Sequence, residues 1–185
     1  MIVRLVRSKA GAALRGRAVD LKKLRKGNTR WKIVVLGGPN LGKQMEAVGN
    51  LEEKLQGWAA SLGIEVEQFR SNHEGKLLEF IHASRDRADA FLVNPGGLVR
   101  VGESFRHALK DSKKPCAEIH MINAELGQKS IFSPSVLSIF SGLGASSYLG
   151  ALTALTLALD DADFLHPEGD SPYNRSHGTP RSLYQ

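Results

Sequence analysis

The chain has one cysteine, Cys116, in 185 residues. A lone thiol excludes an internal disulfide and a cysteine-rich metal site, and it points to a reducing compartment, cytosol or organelle matrix. Aromatic residues are scarce at 6%, with three tyrosines, Tyr148, Tyr173 and Tyr184. No apolar run approaches the roughly 18 residues needed to cross a bilayer, which excludes a transmembrane helix. Acids are nearly missing from one end: residues 1–32 hold eleven Lys or Arg and a single acid, Asp20. Of 25 basic and 19 acidic residues in all, fourteen and eighteen remain for the rest, so the net charge of +6 divides into +10 and −4. That division excludes a uniformly basic nucleic-acid-binding fold and describes a mildly acidic body with a cationic arm.

In the arm, residues 1–31, the apolar positions Val6, Ala10, Ala13, Leu14, Ala18, Leu21 and Leu24 recur at spacings of three and four. This predicts an amphipathic helix over 2–25 with a cationic face. Three readings stay open: an organellar targeting segment, which is Arg-rich and poor in acids; a permanent arm lying on RNA phosphate or an anionic membrane; or a solvated tail.

An apolar fraction of 42% fills a single core over residues 32–159. Ile33–Leu36 reads as a buried strand, followed by a Gly37-Gly38-Pro39-Asn40 turn and a helix through Leu51, Leu55, Trp58 and Leu62 that Gly63 stops. Ile64, Val66 and Phe69 mark a second strand, Leu77–Ile81 a second helix, and Ala90–Val93 a third strand. A further helix, strands at Cys116–Ile119 and Val136–Phe140, and a helix from about 145 to 159 complete the body. Strands alternating with helices predict a flavodoxin-like, doubly wound five-stranded parallel sheet with helices on both faces. The ligand crevice of such a fold lies at the carboxyl ends of the strands. Residues 160–185 are polar and rich in Pro and Gly, a composition that does not fold alone.

Polar residues gather at the expected crevice: Asn40 after the first strand, Ser71-Asn72-His73-Glu74-Gly75 after the second, Asn94 after the third, and Glu118 with His120 at the fourth. They suit a small polyhydroxylated acid. Equally, Asn40 and Asn94 serve as turn residues, and Ser71 or Asn72 as a helix cap.

These segments resemble the type II 3-dehydroquinate dehydratases. The match rests on Gly38-Pro39-Asn40-Leu41, Ser71 to Gly75, Asn94-Pro95-Gly96-Gly97, Glu118-Ile119-His120, Ser133-Pro134, and Gly142-Leu143-Gly144-Ala145 with Tyr148. The resemblance implies subunits arranged as trimers within a dodecamer and an anti elimination of water through an enolate. In that reaction a lid tyrosine, activated by an arginine, removes the proton alpha to the ketone, and a histidine protonates the departing hydroxyl. Carried over, His120 is the general acid, Asn40 helps to hold it, Glu118 supports it, and Asn94 binds the ring or a water. Asn72, His73, Gly96, Gly97 and Arg100 fall at substrate-contact positions. Neither a cofactor nor a metal is expected.

The chain departs from the pattern at the basic end of this machinery. The lid segment, Leu41 to Gly49, is short and holds neither tyrosine nor arginine. Arg100 stands where the family has a histidine, and the loop Ala124 to Lys129 after His120 is shortened and lacks arginine; Arg106 persists. The expectation is therefore a dehydroquinase-like protein without dehydratase activity, serving as an accessory or structural subunit of an assembly in an organelle, of the mitochondrial kind. Its partners would be other protein subunits, with RNA held through residues 1–32. The alternative is an atypical active lyase using His120 as general acid, and a cytoplasmic setting.

Overall fold

The computed structural model describes residues 20–42, 46, 49–123 and 130–166. Five short apolar segments form one parallel sheet: β1 (Lys32–Gly37), β2 (Glu65–Arg70), β3 (Ala90–Asn94), β4 (Cys116–His120) and β5 (Ser138–Ser141), in the order β2-β1-β3-β4-β5. This is the flavodoxin-like order, with the switch point between β1 and β3. Alternation sends Ile33 and Val35 to one face of the sheet and Val34 and Leu36 to the other. The first face is covered by α1 (Leu51–Leu62) and α4 (Ser146–Leu159), the second by α2 (Glu74–Ser84) and α3 (Glu103–Asp111).

Local signals set the limits of α1. The Asn50 side chain accepts a hydrogen bond from the Glu53 amide, and Gly63, in the left-handed region at φ 71°, closes the helix. Leu51, Leu55, Ala59 and Leu62 form its buried stripe; each leucine removed from water contributes about 2 kcal/mol. β5 starts two residues later than the sequence pattern predicts. Val136 is spent in the α2/α3 core after a 3-10 turn at Ser133–Ser135, while the Leu137 amide already bonds the Cys116 carbonyl at 2.7 Å.

The arm is described from Asp20 onward, and residues 2–19 of the helix predicted over 2–25 lie outside the described residues. The described part holds a single 3-10 turn, Leu21–Leu24, with Asp20 as its cap. Leu21 and Trp31 pack on the α1/α4 core, whereas Leu24 is exposed. Arg25 explains why the helical period breaks. Its guanidinium turns inward, bonding both carboxylate oxygens of Asp160 at 2.8 and 2.7 Å and the carbonyls of Leu62, Gly63 and Thr29. Trp31 Nε1 donates to the same carboxylate at 2.8 Å. The pair is almost wholly buried, with 3% and 1% of the two side chains exposed. These hydrogen bonds, that from Arg25 foremost, hold the Asp160 carboxyl down at about 2. Residues 161–166 continue as α5 (Ala162–Leu165), capped by Asp161, which accepts from the Phe164 amide. Among the described residues no helix is long and apolar enough to cross a membrane.

Candidate functional site

The turns after β1 and β3 interlock at the carboxyl end of the sheet. The Gly38 amide bonds the Asn94 carbonyl at 2.8 Å, and the Gly97 amide bonds the Pro39 carbonyl at 2.9 Å. The approach is too close for side chains. A Cβ on Gly38 would lie 2.1 Å from the Pro95 carbonyl oxygen, and one on Gly96, at φ 55°, would lie 2.2 Å from that of Pro39. Asn40 adopts φ 65°, a region that asparagine tolerates better than other side chains.

Asn72 extends this network. Its Oδ1 accepts from the Asn40 amide at 3.2 Å, so it reaches across to the first turn instead of capping α2. His73, exposed at the start of α2, donates its amide to Ser71 Oγ. Glu74 accepts from the Phe105 amide and fastens α2 to the first turn of α3. Five of the sequence-predicted residues, Asn40, Asn72, Asn94, Gly96 and Gly97, are thus brought together, largely through backbone groups.

His120 forms a separate unit with Glu118. His120 Nε2 and Glu118 Oε1 lie 2.7 Å apart. Glu118 is fully buried, and its second oxygen, Oε2, has no hydrogen bond. Cys116 packs in the α2/α3 core, so alternation places Glu118 and His120 on that face of the sheet. Ala90 and Leu92 pack in the α1/α4 core, which puts Asn94 on the opposite face. There Asn94 Nδ2 donates to the Tyr148 hydroxyl at 3.1 Å. Burial pushes the Tyr148 phenol up to about 12, against smaller downward effects of the Asn94 bond and the Arg70 charge. Arg100 is exposed beyond the Gly96–Leu98 turn. Arg106 is held by Glu103 on its own helix at 2.8 Å and by Ser135.

Beside this framework, on the Asn94 face, is a cavity of about 480 Å³ between the start of α1 and the ends of β1 and β2, lined among others by Gln68, Arg70 and Tyr148. Gln68 and Arg70 are site residues that the sequence reading passed over. Their signal was the alternation Val66, Gln68, Arg70, which puts two polar groups on a core-facing side of β2.

The family model for class II dehydroquinases matches residues 31–156, from Trp31 through all five strands and most of α4. The chain belongs to the class II dehydroquinase family. Among similar proteins, the 3-dehydroquinate dehydratase of Dinoroseobacter shibae is 32% identical over 148 residues, covering 73% of this chain and 99% of that protein. That of Dictyoglomus turgidum is 37% identical over 139 residues, covering 68% and 96%. The crystal structure of the type II dehydroquinase from Butyrivibrio crossotus superposes with a TM-score of 0.63 at 27% identity, covering 68% of this chain and 97% of that one. The dehydroquinase match ends before Asp160 and begins after Arg25, so the buried ion pair lies outside it on both sides.

Proposed function

We infer that this dehydroquinase-family chain has lost the dehydratase reaction and works as an accessory subunit of a larger assembly. One observation carries the reading: among the described residues no tyrosine stands free at the site to take the proton from the alpha carbon. The segment from Leu41 to Asn50 holds no tyrosine or arginine. Tyr148, the tyrosine among the described residues, is buried, engaged by Asn94, and pushed up to about 12 by that burial. A positioned general base is worth about 10²- to 10⁴-fold, so its removal leaves the acid half idle. The cationic arm supports the accessory role, with a protein or RNA partner in an organelle matrix. The intact Glu118–His120 pair favours a second reading, an atypical active lyase in which His120 protonates the leaving hydroxyl. The rise of enone absorbance from 3-dehydroquinate separates the two. No turnover above the uncatalysed rate is expected, and turnover that His120→Ala abolishes overturns the loss of activity.

A further inference from the structure

The root of the arm keeps positive charge that its own contacts leave over. Residues 20–32 hold Lys22, Lys23, Arg25, Lys26, Arg30 and Lys32 against Asp20 alone. Arg25 spends its donors on Asp160 and on three carbonyls, and Lys32 is paired with Glu67 at 3.0 Å. Lys26 and Arg30 reach Asp161 and Glu65 at 3.3 and 3.0 Å. The side chains of Lys22 and Lys23 have no acid within ion-pair distance among the described residues.

Lys22 is nevertheless held in place. Its stem lies so close over the end of α1 that a Cβ on Gly63 would sit 2.7 Å from Lys22 Cε, and its amide bonds the Asp20 carboxylate at 3.3 Å. Beside it, between the arm root and the end of α1, is a hollow of about 390 Å³ bordered by Lys22, Gly27, Asn28 and Arg30. No acidic side chain borders it, and the Asn28 side-chain amide is unbonded among the described residues. The carboxyl end of a helix ordinarily repels anions, because its last carbonyls are unmatched. Here Arg25 Nη1 covers those of Leu62 and Gly63 at 3.1 and 3.3 Å, so an anion entering the hollow meets cations first.

Three kinds of partner carry the matching charge: a polynucleotide, an anionic bilayer and an acidic protein. A bilayer takes up a helix through a broad apolar face, and a protein interface needs an apolar centre. Leu24 is the one large apolar side chain exposed among the described residues of the arm, which suits neither. A single-stranded backbone instead offers compact phosphates and bends one of them into a recess, where an ammonium, a guanidinium and an amide serve its oxygens.

We propose that the arm root binds the phosphates of single-stranded RNA, with one phosphate in the hollow on Lys22, Asn28 and Arg30. The proposal rests on the accessory-subunit reading and names its partner. Its cations precede Trp31, where the dehydroquinase match begins, and the hollow lies at the amino ends of the strands, away from the crevice. No aromatic side chain borders the hollow, so binding through it is indifferent to base sequence.

The test is fluorescence anisotropy of labelled oligouridylate and oligoadenylate with the full chain over a range of salt. Both are expected to bind alike, the logarithm of the association constant falling linearly with that of salt. Lys22→Gln weakens binding about fivefold at about 0.1 M salt and lowers the slope by about 0.7, the counterion share of one phosphate on a single strand. Asn28→Asp, which sets a carboxylate in the hollow, weakens binding at least as much. Lys76→Gln, an equal loss of charge on the exposed side of α2, changes it by less than about twofold. Lys22, Asn28 and Lys76 are all exposed, so the three variants keep the wild-type melting temperature. The proposal is overturned if the wild type does not bind RNA at low salt, or if Lys22→Gln and Asn28→Asp keep its affinity and slope. It is overturned equally if anionic lipid vesicles or polyglutamate, in place of RNA, show the dependence on Lys22. Turnover of 3-dehydroquinate that His120→Ala abolishes ends the accessory reading without changing any of these constants, so the two failures are told apart.

Discussion

Arg25 and Asp160 stand 135 residues apart in sequence and meet through two charge-assisted hydrogen bonds of 2.8 and 2.7 Å, in a site that solvent barely touches. The remaining donors of Arg25 go to carbonyls at the end of α1, and the remaining capacity of Asp160 goes to Trp31. Every member of the cluster is thus satisfied, the condition under which a buried pair holds its neighbours rigidly.

Breaking one half of the pair leaves the other charge buried and alone. Arg25→Ala or Asp160→Asn is expected to cost about 3–5 kcal/mol in urea unfolding. Lys26→Ala, which removes an exposed partner of Asp161, is expected to change stability by less than about 1 kcal/mol. Equal effects of Arg25→Ala and Lys26→Ala would show that burial of the first pair contributes nothing.

The same pair sets an acid limit on stability. Asp160 is held at about 2, chiefly by the Arg25 hydrogen bond, and Glu67 at about 2, chiefly by Arg87 and then by Lys32. Both carboxyls titrate lower folded than unfolded, so their contribution is complete above the ordinary carboxylate range. It is lost as pH falls through about 4 toward 2. For Asp160 the contribution is about 2 kcal/mol. Urea midpoints should fall between pH 6 and pH 3 in the wild type, and Asp160→Asn should flatten that slope.

The interlocked turns predict opposite signs for glycine replacements. Gly38→Ala and Gly96→Ala each push a methyl group against a carbonyl oxygen that cannot rotate away, and each should cost about 3 kcal/mol or more. Gly57 lies on the exposed side of α1 with nothing within 4 Å of its missing Cβ, so Gly57→Ala should add about 1 kcal/mol. Denaturant midpoints check all three, and a neutral Gly38→Ala would mean that the turns are not locked.

The architecture was legible because it is written locally. The β-branched run at Ile33–Val35, the cap at Asn50, the stop at Gly63 and the apolar period of α4 each act within a few residues, and strand and helix follow where they fall. The clustering of Asn40, Asn72 and Asn94 was legible for the same reason, since strand ends converge in this fold. What sequence could not reveal depends on which way a residue faces or on what meets it from far away. Asn94 and His120 both end strands, yet one residue of register separates a side chain under α4 from one on the α2/α3 side. Arg25 looked like one more cation on a basic arm, and Asp160 like the first acid of a polar tail. Nothing local distinguishes a lysine-like surface charge from an arginine committed to a partner 135 residues on.

The position of that ion pair also gives the molecule a front and a back. Arg25 meets the end of α1, the start of β2 and the end of α4, all at the amino ends of the strands, whereas the turns, His120 and the cavity lie at the carboxyl ends. The segments on either side of the domain are therefore rooted next to each other on its back. Both segments thus leave the domain on the side opposite the mouth of the crevice.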